Sequence, residues 1–122
     1  MELLVEAIPE IATRYSSRCE RGLHAALEWI RPHPEKLDME DWCNCLAHAV
    51  IMAAGEPIDN DSFTGQIQAR DILGISTHAS ARLFYLAGWD FSYAMEYVQA
   101  KTPEDRFRAL VSYVERFLNR GL

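Results

Sequence analysis

Apolar residues recur along this chain at gaps of three and four, the spacing of one helix face, and nowhere alternate long enough to mark a strand. Pro9 is suited to the first turn of a helix. Tyr15, Cys19, Leu23, Ala26, Leu27 and Ile30 then form one stripe. Pro32 and Pro34 predict its stop and an extended linker after it. Asp38 is a good N-cap with Asp41 three residues on. Trp42, Cys45, Leu46, Ala49, Val50, Met52 and Ala53 follow at helical spacing, and Gly55 and Pro57 mark the end. This is the most apolar helix, so it is expected at the centre of the core.

The second half repeats the theme in shorter pieces. Asp61 or Ser62 is placed to cap a helix running to about Leu73, which Gly74 ends. Ser76 caps a short helix carrying Ala79, Leu83, Phe84 and Leu86, and Gly88 breaks it. Asp90 caps the next helix, with Phe91, Ala94, Met95 and Val98 on one face, which we expect to be the buried one. In the last helix Thr102 is the N-cap, Pro103 holds the first position and Asp105 the third. Phe107, Leu110, Val111, Val114, Phe117 and Leu118 make its stripe, and Gly121 closes it. Arg116 and Arg120 lie where cations complement the helix dipole. These signals predict an all-α protein, a compact orthogonal bundle of about six short helices forming a single domain over residues 1–122.

Four segments, in order, carry a resemblance: Trp42-Cys43-Asn44-Cys45-Leu46-Ala47-His48-Ala49-Val50, Ala69-Arg70-Asp71-Ile72-Leu73-Gly74-Ile75, Arg82-Leu83-Phe84-Tyr85 with Trp89, and Thr102-Pro103-Glu104-Asp105-Arg106. Over residues 25–119 the chain resembles a loose group of small uncharacterised bacterial and phage proteins with a Cys-Leu-Ala-x-His-Ala helix, a Leu-Gly-Leu turn and a Leu-Phe pair. It departs from them at Cys43-Asn44-Cys45 and lacks their glycine before His48. The resemblance implies an all-helical domain. It carries over no catalytic residue, because the group has no established activity.

Composition narrows the function classes. The chain has 122 residues, 49% of them hydrophobic and 25% charged, with a formal charge of −6. It is too apolar for intrinsic disorder. Its acidity disfavours nucleic acid, whose binders need a basic face to displace counterions. No apolar run reaches the roughly 20 residues of a membrane helix. The N-terminus lacks the basic and apolar regions of a signal peptide. Three cysteines, Cys19, Cys43 and Cys45, do not suggest a disulfide framework. We therefore expect a cytoplasmic protein with reduced thiols and no cofactor.

Four groups of residues resemble sites. Asp41, Cys45 and His48 share a helix face if one helix runs through them, whereas Cys43 points away. A zinc site would then need Cys45 and His48 plus ligands from elsewhere, such as Cys19, His24 or His78. Against this, paired Cys-x-x-Cys spacing is absent. Cys43 near a helix start has the dipole expected to activate a thiol, but no strands are predicted to present a histidine and an acid to it. Residues 66–86, with the Leu73-Gly74-Ile75 corner, resemble a helix-turn-helix. Arg70 and Ser80 occupy positions that usually carry a small and a branched apolar residue, and the second helix has one cation, Arg82. Asn60 to Asp71 echoes a calcium loop with three weakened ligands.

Nine of the thirteen aromatic residues lie from Phe84 onward, more than a small bundle needs to hide. Tyr93 and Tyr97 are an i, i+4 pair beside the presumed buried face, and Trp89 precedes them. Exposed Tyr and Trp favour interfaces. The sequence thus points to a non-enzymatic protein-interaction or self-associating domain, a homodimer included, with Trp89, Tyr93 and Tyr97 as its surface. The alternatives are a metal or thiol site around Cys43, Cys45 and His48, and a helix-turn-helix regulator using residues 66–86.

Overall fold

Helix-face periodicity becomes six helices in the computed structural model of the chain, which describes residues 15–39, 45–57, 62–85 and 88–120. They are α1 (Ser17–Ile30), α2 (Leu46–Ala54), α3 (Ser62–Leu73), α4 (Thr77–Phe84), α5 (Phe91–Gln99) and α6 (Pro103–Arg120). No strand occurs among the described residues, and the protein is an all-α bundle. The helix start expected at Pro9 lies outside the described residues.

Local signals set most of the boundaries. Ser16 Oγ accepts from the Cys19 N–H at 3.2 Å, Ser76 Oγ from Ala79 at 3.0 Å, Asp90 Oδ1 from Tyr93 at 2.7 Å and Thr102 Oγ1 from Asp105 at 3.1 Å. Each bond satisfies a donor that the first helical turn leaves over. Gly55 and Gly74 end α2 and α3 at φ 73° and 69°, the left-handed conformation that a side chain disfavours. At Gly74 the Arg18 guanidinium closes the helix end from α1. Its Nε donates to the Ile72 carbonyl at 2.8 Å and a terminal nitrogen donates to that of Asp71.

The central helix starts later than its sequence pattern suggests. Asp38 does not cap it: Cys45 is the N-cap, with extended φ −92° and ψ 176°. Nor is the segment after Arg31 a plain extended linker, since Pro34–Lys36 forms one 3-10 turn. Burial explains both differences. Leu37 and Met39 sink into the core, and the Met39 N–H donates to Tyr97 Oη at 2.9 Å. Residues drawn inward as a strap cannot also begin a solvent-facing first helical turn. Asp41 and Trp42 lie outside the described residues; of the expected shared face, Cys45 is the N-cap of α2 and His48 stands in its first turn.

One contiguous core results. α1 packs along α2, α2 against α3, and α5 on α6, while α6 also meets the 3-10 turn. From α2 alone Leu46, Ala47, Ala49, Val50 and Ile51 are buried. Among large side chains, Tyr93, Tyr113 and Phe117 are completely or almost completely enclosed.

Helix α5 reverses the expected orientation. Phe91, Met95 and Val98 do share a face, but it points outward, with Phe91 78% and Val98 72% exposed. The buried residues are Tyr93 and Tyr97, on the opposite side at 100° per residue. Tyr93 stacks on Tyr113 with centroids 4.3 Å apart and meets Trp89 at 4.5 Å and Tyr97 at 5.9 Å. Arg116 of α6 fixes the rotation further, reaching Asp90 Oδ1 at 3.4 Å and Glu96 at 3.8 Å. The aromatic pairs, worth roughly 0.5–1.5 kcal/mol each beyond their area, and the Met39–Tyr97 bond turn the tyrosines inward.

Candidate functional site

The sequence-predicted site residues do not gather. Cys45 is buried at the head of α2, His48 lies one turn on with its ring edge toward Trp29 at 5.9 Å, and His78 is exposed on α4. Among the described residues no three His, Cys, Asp or Glu side chains converge closely enough to hold a metal ion. His24 pairs instead with Glu115 at 3.0 Å, joining α1 to α6. Burial pushes the Cys19 thiol up to about 11, with the Glu20 charge adding to it, the opposite of an activated nucleophile. Cys43 and most of the calcium-like loop lie outside the described residues. Asp71, at that loop's end, accepts from Arg70 at 3.1 Å.

The Leu73-Gly74-Ile75 corner does join two helices, with α3 and α4 in contact. Its cations, however, are engaged within the protein. Arg70 donates to Thr77 Oγ1 at 2.8 Å, and Arg82 is half-buried with a terminal nitrogen 3.4 Å from Tyr15 Oη. Ser80, at the position where a branched apolar residue would pack, is buried and returns its hydroxyl to the Thr77 carbonyl at 2.8 Å.

The proposed interaction surface of Trp89, Tyr93 and Tyr97 is corrected outright. Tyr93 is wholly enclosed, and Trp89 and Tyr97 nearly so. Their rings form the seam between α5 and α6, and Tyr113 Oη donates to the Arg82 carbonyl, anchoring that seam to α4. Desolvation by burial, with Tyr97 and Tyr113 close by, raises the Tyr93 phenol far above its ordinary range. What α5 shows to solvent is Phe91, Met95 and Val98, at i, i+4 and i+7 along one side. Ser92, Glu96 and Gln99, all exposed, flank that stripe. The periodicity identifies this face. What it lacks is any sign of which side meets the protein.

A second feature has no counterpart in the sequence reading. Trp29, Ile30, His33, Lys36, Leu37 and Cys45 line a cleft of about 260 Å³ between the end of α1, the 3-10 turn and the head of α2. Trp29 forms one wall while remaining 46% exposed. Spacing cannot reveal such a cleft, because the two prolines that bend the chain back separate its residues. Against this geometry, comparison with protein-family models, with characterised proteins and with solved structures finds no match.

Proposed function

We propose that this protein is an interaction domain that inserts the outer face of α5 into an apolar groove of a partner protein. The observation that carries this reading is the exposed stripe Phe91, Met95 and Val98 on a helix whose opposite face is locked to α6. Leaving large apolar side chains in water forgoes roughly 1.5–3 kcal/mol each, which docking would recover. The i, i+4, i+7 pattern is that of helices bound in grooves.

The dimensions favour a groove over a flat pairing with a second copy. The eight residues from Phe91 to Val98 span about 10 Å of helix. Three side chains on that length fall well short of the roughly 1,200–2,000 Å² of a stable interface, unless the partner wraps around them.

A photo-crosslinking amino acid at position 91, used in the native cell, tests this. A protein captured in that way, once purified, should bind the domain, and Phe91→Ser with Val98→Ser should weaken that binding at least tenfold at unchanged melting temperature. Crosslinks only to its own copies, together with a dimer in sedimentation, would replace the groove with self-association. Binding indifferent to the double substitution would remove α5 from the interface.

A further inference from the structure

We infer that the cleft between α1, the 3-10 turn and α2 binds a small amphiphilic monocarboxylate, its apolar body inside and its carboxylate at Lys36. This goes beyond the α5 interface and does not depend on it. The walls are Trp29, Ile30 and Leu37, with the Cys45 side chain also on the lining. At about 260 Å³ the space exceeds the roughly 150 Å³ that holds a benzene molecule and falls below the 300 Å³ where drug-sized sites begin. One ring or a short aliphatic chain fits it.

Charge assigns the other end of the ligand. The polar lining residues are His33 and Lys36, and no carboxylate lines the cleft among the described residues. Glu35 is turned to His33, with its Oε2 at 3.2 Å from Nδ1. Lys36 acts on the Glu35 carboxylate through its charge but makes no ion pair within 4.0 Å with a carboxylate among the described residues. A lysine on the lining of a largely apolar cleft matches an anion that carries a hydrophobic tail. A bare inorganic anion would forgo the walls, and a neutral alcohol would forgo the charge. Trp29, half in water with its ring on the wall, is the kind of side chain that a ligand covers.

Octanoate and octan-1-ol share a chain and differ in charge, so they separate the two parts of this inference. In ¹⁵N–¹H spectra octanoate should shift the Trp29 indole signal saturably, and octan-1-ol should bind about tenfold more weakly. Lys36→Met, on an exposed side chain, should weaken octanoate by a similar factor and leave octan-1-ol unchanged. A melting curve would confirm that this variant is folded. Octan-1-ol binding as tightly as octanoate, or Lys36→Met without effect, overturns the carboxylate assignment. No saturable shift at Trp29, or shifts confined to α5, overturns the site.

Discussion

Helices α2 and α5 are each nine residues long, yet they meet the core in opposite ways. α2 is apolar nearly all round and buries five residues. α5 carries three aromatic residues and buries only its two tyrosines, leaving its phenylalanine in water. Hydrophobicity alone would bury Phe91 before Tyr97. The difference shows that α2 is held by area and shape, whereas α5 is held by directed contacts: ring stacking on Tyr113, the Met39–Tyr97 bond and the Arg116 pairs. A helix anchored by directed contacts on one side can keep an apolar face on the other.

The strongest way to break this comparison is to empty the α2 side. Ile51 and Leu46 are completely enclosed, so Ile51→Ala or Leu46→Ala should cost about 2–5 kcal/mol in urea unfolding. Val98→Ala on the outer face of α5 should leave the urea midpoint almost unmoved. If Val98→Ala matched Ile51→Ala, the outer face of α5 would be covered in solution.

The two α5 tyrosines sharpen the argument, because a hydroxyl is all that separates Tyr from Phe. Tyr97→Phe removes the acceptor of the buried Met39 N–H, and leaving that donor unmade should cost roughly 1–3 kcal/mol. The Tyr93 hydroxyl is buried without a hydrogen-bond partner among the described residues, so Tyr93→Phe should be neutral or slightly stabilising. A Tyr97→Phe variant as stable as Tyr93→Phe would mean that ring packing alone sets the α5 orientation.

Much of this architecture is legible in the sequence wherever its cause is local. Ser76, Asp90 and Thr102 act on backbone groups three residues away, and Gly55 and Gly74 act on their own φ. The start of α2 is not legible, because Leu37 and Met39 are drawn in by a core assembled from distant helices. The side that α5 buries depends on Tyr113 and Arg116, which belong to the next helix. The α5 stripe was visible as a periodicity with the wrong side assigned to it. The cleft at Trp29 was invisible, since no spacing encodes a turn that folds Lys36 and Leu37 back toward Cys45.

Alkaline titration compares the two regions through their buried acids. The Cys19 thiol, in the same core cluster as the α2 residues, rises from 9.0 to about 11 because burial penalises the thiolate. On the α5–α6 side Tyr113 rises from 10.0 to about 12, again chiefly by burial. A raised folded-state value means that stability is complete below the unfolded value and is lost as pH climbs through the folded one. Stability should therefore fall first between pH 9 and 11 through Cys19, and between 10 and 12 through Tyr113. Cys19→Ala should flatten the first part by on the order of 1 kcal/mol, read as urea midpoints at pH 8 and pH 10.5. An unchanged slope in Cys19→Ala would place the alkaline loss on the tyrosine seam.

The smallest expected effect is the most telling for function. Phe91→Ser and Val98→Ser remove side chains that lie mostly in water, and substitutions of that kind usually stay within about 0.5 kcal/mol. Neither residue takes part in the aromatic contacts or ion pairs that hold α5 to α6. The urea midpoint and the near-ultraviolet dichroism of the tyrosine seam should both be retained, while retention on a hydrophobic-interaction column should drop. Stability then says nothing in favour of keeping two large apolar residues at positions 91 and 98. A loss of several kcal/mol would show instead that they are part of the fold, and α5 would no longer have a free face to offer a partner.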